Sequence, residues 1–305
     1  MDRVRALAKK VSNWGRWGPD DELGTLNFIT DAVVRKAAGS VKTGRVFSLG
    51  LPFNAQGPQA GTVPGRFNPV HTMSLIGERV GEFCYNDDMV VMPLQCGTQW
   101  DALSHVFYDG KMYNDRVVDE HVTHHGAAHN SIDKVAEKGV VSRGVLLDMA
   151  RHAGVERLGG GHLITPADLE AAEKKQGVRV ESGDVLLLRT GWIQIFTVDG
   201  DRMTYMTQEP GLGMAAIEWL RAREVAAIAA DTIAVEVMPC EHEDLPFPFH
   251  LLAIRDLGPT LGEMFDLEAL AADCAADGQW TFLFSAPALK VTGGIGTPLN
   301  PLAVK

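Results

Sequence analysis

GMAAIEWLRAREVAAIAADT, residues 213–232, decides the fold class. Its first part, Gly213–Val225, reads as a helix, because Ala, Glu, Leu and Arg are strong helix formers. Its second part, Ala226–Thr232, is a short apolar run of strand length and reads as a buried strand. The same alternation continues in both directions. Upstream lies DVLLLRTGW (184–192), an apolar strand ending in a glycine turn. Before it, Thr165 caps a helix in which Pro166 suits the first turn and Asp168 and Glu170 favour its positive end. GVLLDM (144–149) is another strand. Downstream, DLEALAADCA (266–275) is a capped amphipathic helix and WTFLFSAPAL (280–289) a closing strand. Strands alternating with helices predict an α/β or mixed domain. No compositional break divides the chain, so one domain is expected over residues 1–305. The irregular zone is residues 50–70, with Pro52, Gly57, Pro58, Gly61, Pro64, Gly65 and Pro69. Such a loop serves as a lid, a subunit contact or a plain connector.

A chain of 305 residues with 46% hydrophobic and 22% charged residues buries a sizeable core. The net charge of -11 argues against nucleic acid or an anionic membrane as partner. The four cysteines, Cys84, Cys96, Cys240 and Cys274, are widely spaced with no CxxC pair, which speaks against a disulfide framework or zinc ribbon. MDRVRALAKK at the start lacks the apolar stretch of a secretory signal, and no run of about 18 apolar residues occurs. The expectation is a cytoplasmic protein. Gly191, Gly211 and Gly213 make no dinucleotide fingerprint, and no serine sits in a Gly-x-Ser-x-Gly elbow.

Chemistry-bearing residues gather in two places. QCGTQWDALSH (95–105) directly follows the apolar run Val90–Leu94, read as a strand. Polar groups at a strand end are well placed to line a pocket. Gln99 and Asp101 are two apart, so extended backbone points both to one face. Asp is a good ligand for a hard or borderline cation, Gln offers a neutral carbonyl oxygen, and His105 is either a further ligand or a proton carrier. Near the C-terminus, Glu241-His242-Glu243 reads as a solvated charged loop. His250 opens an apolar stretch behind Pro-Phe-Pro-Phe, as a core residue or a ligand.

The chain resembles the cyclase-like family that includes bacterial kynurenine formamidase, isatin hydrolase and trans-dienelactone hydrolase. That family carries His-x-Gly-Thr-His-x-Asp-x-Pro-x-His, which stands here as Gln95-x-Gly97-Thr98-Gln99-x-Asp101-x-Leu103-x-His105. RWGPDDELGTLNFIT, KGVVSRGVLLDM, LLLRTGW, HLLAIRDLGPTLGEMFDLEAL and the closing FLFSAPALKVTGGIGTPLNPLAVK extend the likeness over nearly the whole chain. His250 and Glu263 occupy the places of the family's later metal-site His and Glu. The departures are the two glutamines and Leu103. The glutamine pattern and the long N-terminal part look more like the trans-dienelactone hydrolase branch.

The resemblance implies a swivelling β/β/α fold and a homo-oligomer, a dimer or tetramer. It implies one divalent metal per chain, zinc or manganese, held by Asp101, His250 and Glu263 with one or both of Gln95 and Gln99 assisting. The implied activity is a hydrolase that opens a lactone, cyclic amide or aryl formamide, with His105 as general base. A cyclase or dehydratase on the same metal, or a silent binding protein without metal, are the alternatives. Trp100, Phe53 and Phe67 are candidates for an apolar wall against a planar ring, although core packing is the commoner fate of such aromatics. His125, beside His124, is a candidate contact for a substrate carboxylate or else an exposed loop residue. Cys96 needs no nucleophilic role as a small buried residue.

Overall fold

The computed structural model describes residues 1–242 and 244–305. Four parallel strands make its centre: Val141–Asp148, Val185–Arg189, Ala227–Ala230 and Thr260–Glu263, adjacent in that order. Antiparallel strands extend both edges. Thr281–Ser285, Leu302–Val304 and Val46–Ser48 continue beyond Val141–Asp148. Gln99–Asp101 and then Gly296–Pro298 continue beyond Thr260–Glu263. The result is a mixed α/β fold on a nine-stranded sheet.

The central strands are largely apolar because both faces are covered. Leu186, Leu188, Ile228, Ala230 and Leu261 pack into one core with the helix residues Leu169, Ile217 and Leu220. Val185, Leu187, Ala227 and Ala229 pack into a second core with Trp100, Phe265, Phe282 and Phe284. Alternate residues therefore enter opposite layers, as pleating requires. The helix Pro166–Gln176 forms where its cap was read: Thr165 Oγ1 accepts from the Asp168 N–H, and Asp168 Oδ2 accepts from the Thr165 N–H at 2.8 Å. The helix read over 213–225 occupies Ala216–Arg223, and the strand after it Ala227–Ala230. None of the described helices is long and apolar enough to cross a membrane.

One strand is placed differently from its reading. Val90–Leu94, read as a strand running up to the polar cluster, is strand only at Val90 and Val91. Val90 and Val91 end the strand Phe83–Val91, which pairs with Val70–Val80 in a two-stranded arm apart from the main sheet. The arm is exposed along almost its whole length, including Ile76 (79%), Val80 (68%) and Phe83 (64%). The buried strand of this region is the short Gln99–Asp101.

Candidate functional site

Gln99–Asp101 lies antiparallel to Thr260–Glu263, with Gln99 opposite Glu263 and Trp100 opposite Gly262. Side chains of paired antiparallel residues share a face, so Gln99, Asp101 and Glu263 project to one side and Trp100 to the other. Gly262 has no side chain because the Trp100 ring fills that place: a Cβ there would lie 2.4 Å from the indole. The third component arrives from a different element. The short helix Pro248–His250 runs into a π-helical stretch, Leu251–Leu257, whose buried Leu252, Ala253 and Ile254 anchor it in the core. Its first turn sets His250 above Glu263.

One potential ligand atom from each of Asp101, His250 and Glu263 falls within 4.8 Å of the others, and all three residues are buried. His250 Nε2 is 3.3 Å from Glu263 Oε1. Gln99 Nε2 donates to Glu263 Oε2 at 2.8 Å and to Asp101 Oδ1 at 3.2 Å. Two buried oxygens at this point, Gln99 Oε1 and Asp101 Oδ2, have no hydrogen-bond partner. Unpaired buried oxygens are costly, and a cation is a natural partner for them. Half a turn of the Gln99 amide exchanges its nitrogen for its oxygen and completes a set of three oxygen donors and one imidazole. Such a set fits zinc or manganese. Gln95 is placed differently. Its amide lies against Gly296, the residue opposite Asp101, and it makes no hydrogen bond to Asp101, His250 or Glu263.

The electrostatics follow from burying two carboxylates together. Burial and the nearby Asp101 charge push Glu263 up to about 7. Burial alone would lower the His250 imidazole, but hydrogen bonds and charge from Glu236 and Glu263 raise it to about 10. Without a cation the imidazolium is thus the site's counter-charge. Glu236 was not legible beforehand. It is fully buried and accepts from the Phe249 N–H (2.9 Å) and the His250 N–H (3.0 Å), with His250 Nδ1 at 3.2 Å. That bond holds the ring so that Nε2 faces Glu263.

A cavity of about 310 Å³ opens on this cluster. Its floor is His105, His250 and Glu263, and its walls include Val106, Ile233, Phe247 and Leu251. His105 Nε2 stands 3.9 Å from Asp101 Oδ1. Burial lowers the His105 pKa against the opposing pull of Asp101, which keeps the imidazole neutral and able to accept a proton. A residue the sequence did not single out, Arg66, also lines the cavity, brought there by the irregular loop.

The other candidates lie elsewhere. Trp100 is fully buried, donates its indole N–H to the Ala286 carbonyl and packs on Phe265, so it is core on the far face of the sheet rather than a substrate wall. Phe53 rests against Gly97 behind the site strand, and Phe67 is exposed; neither lines the cavity. His125 is exposed, its ring 4.1 Å from that of His124, on the turn between Val122–Thr123 and Gly126–Ala127 and outside the cavity lining. The Cys96 thiol is pushed up to about 11 by burial, which keeps it protonated and unfit as a nucleophile. Glu241 accepts from the Met214 N–H and His242 meets Arg3, whereas Glu243 lies outside the described residues.

A ligand-competent cluster shared by the strands Gln99–Asp101 and Thr260–Glu263, beside the carboxyl ends of parallel strands, defines the class: an α/β protein with its functional site at the sheet's C-terminal side. More particularly, the chain belongs to the Cyclase family, whose profile matches residues 47–237. A novel cyclase of known crystal structure is 37% identical over 98% of this chain and 99% of its own, with a TM-score of 0.90. Isatin hydrolase A from Labrenzia aggregata shares the fold at 22% identity, covering 88% of this chain and 94% of its own, with a TM-score of 0.65. A predicted metal-dependent hydrolase from Bacillus stearothermophilus does so at 16% identity, covering 85% and 97%, with a TM-score of 0.53. Among curated proteins there was no match.

Proposed function

We propose that the protein is a metal-dependent hydrolase that opens a lactone or cyclic amide. The observation that carries this reading is the buried Asp101–His250–Glu263 cluster at the floor of a cavity, in which Asp101 Oδ2 has no hydrogen-bond partner. A divalent cation, zinc or manganese, supplies Lewis acidity toward a carbonyl and acidifies water. Asp101, His250 and Glu263 would hold it, with the Gln99 oxygen as a fourth donor once the amide is turned over. The remaining work falls to the chain's own residues. His105, neutral and facing the cavity, takes a proton from the attacking water and returns it to the leaving oxygen or nitrogen. Val106, Ile233, Phe247 and Leu251 exclude bulk water and fit a planar ring. The relatives named as isatin hydrolase and metal-dependent hydrolase support the same reaction type.

The assembly belongs to this reading. A two-stranded arm is marginally stable alone in water, and this one exposes Ile76, Val80, Phe83 and Met89. A second copy of the chain, covering these residues, makes the protein a homo-oligomer. One observation favours a different reading, a metal-free binding protein: the Gln99 amide already bridges both carboxylates and His250 already supplies a positive charge. The test is hydrolysis of a panel of lactones and cyclic amides by the metal-loaded protein. Ring opening that stops on chelation and returns with the metal supports the hydrolase. A metal-loaded protein that opens no member of either class contradicts it.

A further inference from the structure

The 50–69 loop is tied down by side-chain hydrogen bonds and is not a slack connector. Gln59 and Asn68 clamp its neck: the Gln59 N–H donates to Asn68 Oδ1 at 2.9 Å, and Asn68 Nδ2 donates to the Gln59 carbonyl at 3.0 Å. Gln59 Nε2 also donates to the Cys96 carbonyl at 3.0 Å, which fastens the clamp to the segment leading into the site strand. Within it, the Arg66 N–H closes a turn on the Val63 carbonyl at 3.2 Å. That turn puts Val63 and Arg66 together in the cavity wall.

Among the described residues, Arg66 is the only cationic side chain other than histidine in that lining. Its charge acts on His105 and Glu263 across the cavity, but its guanidinium forms no hydrogen bond or ion pair with any described residue. Most of the partly buried arginines here are spent on carboxylates: Arg143 on Asp184, Arg189 on Glu268 and Arg223 on Glu173. An arginine kept unpaired in a largely apolar cavity is a planar fork of donors matched to a carboxylate. His105 and Glu263 line the same cavity, and the reacting carbonyl belongs beside them if the hydrolase reading holds. A molecule reaching from there to Arg66 carries its hydrolysed bond at one end and a carboxylate at the other.

We propose that Arg66 is a specificity-determining residue that binds a carboxylate borne by the substrate, making the substrate class an anionic lactone or cyclic amide. This rests on the proposed hydrolase for the reaction, but the anion site itself is tested without turnover. Benzoate and its uncharged analogue benzamide are titrated calorimetrically into the purified protein, as isolated and after metal loading, and into Arg66→Gln and Arg66→Lys. Circular dichroism checks that each variant folds. The expected result is benzoate binding that weakens at least tenfold in Arg66→Gln and is partly kept in Arg66→Lys, with benzamide unaffected by either change. Equal benzoate affinity in the parent and Arg66→Gln, or no benzoate binding to the folded parent in either state, overturns the proposal. Metal-loaded protein that binds benzoate through Arg66 yet opens no lactone or amide instead refutes only the hydrolase reading.

Discussion

Replacing Glu236 by Gln separates a residue that orients a metal ligand from one that only closes a turn. Three donors converge on this buried carboxylate: the N–H groups of Phe249 and His250, and His250 Nδ1. Glutamine keeps the shape but turns one oxygen into an NH₂ group. If its oxygen stays toward His250, the Phe249 N–H faces another donor. If the amide turns over, both His250 nitrogens do. Either way at least one buried N–H is left unpaired, a cost of about 1–3 kcal/mol. The imidazole also loses the negative charge that raises its basicity. Losing such an outer partner lowers metal affinity by roughly 10–100-fold. Expressed as free energy, that is about 1.4–2.7 kcal/mol. Competition against a chromophoric chelator measures the affinity, and melting of the metal-free protein measures folding. A variant whose affinity stays within about twofold of the parent, while its metal-free melting temperature falls, would refute the reasoning and leave Glu236 as a structural acceptor only.

Three further outcomes follow from the same geometry. His105→Ala lowers turnover by about 10²–10⁴-fold while metal content is kept, since His105 stands beside the ligands as a proton carrier; equal loss of both would make it a ligand. Metal affinity falls on acidification, because His250 and Glu263, raised to about 10 and about 7, hold protons that the cation must displace. Above about pH 7 one proton is displaced and affinity changes by about tenfold per pH unit; below it the dependence steepens toward two protons, and a flat titration from pH 8 to 6 contradicts this. Ile76→Asp combined with Phe83→Asp places charge on the exposed arm and is expected to reduce the assembly to monomers by sedimentation velocity, whereas an unchanged mass means that the arm does not join subunits.

The parallel centre was legible because strands buried on both faces must be apolar without interruption, as in Val185–Leu188 and Ala226–Ala230. The 166–176 helix was legible because Thr165, Pro166 and Asp168 carry its start in their own chemistry. Val90–Leu94 misled for the same reason that the others succeeded: an apolar run states strand propensity, not what covers it, and here Val90 and Val91 are about half exposed. Gln99 and Asp101 share a face as their spacing required. The same alternation turns Trp100 away from them, so its core position was available from the reading that paired its neighbours. Glu236 and Arg66 left no such signal. Glu236 sits inside an apolar run, AVEVMP, and acts through backbone N–H groups thirteen and fourteen residues away. Arg66 depends on a turn and on a Gln59–Asn68 clamp that no periodicity reports.

The most direct test of the metal site is elemental analysis of the purified protein beside Asp101→Ala and His250→Ala, with circular dichroism to show that both variants fold. The account predicts about one zinc or manganese per chain in the parent and loss of it in both variants. A parent that takes up no divalent metal even after reconstitution would contradict the account and leave a cavity whose carboxylates are balanced by the His250 proton and the Gln99 amide alone.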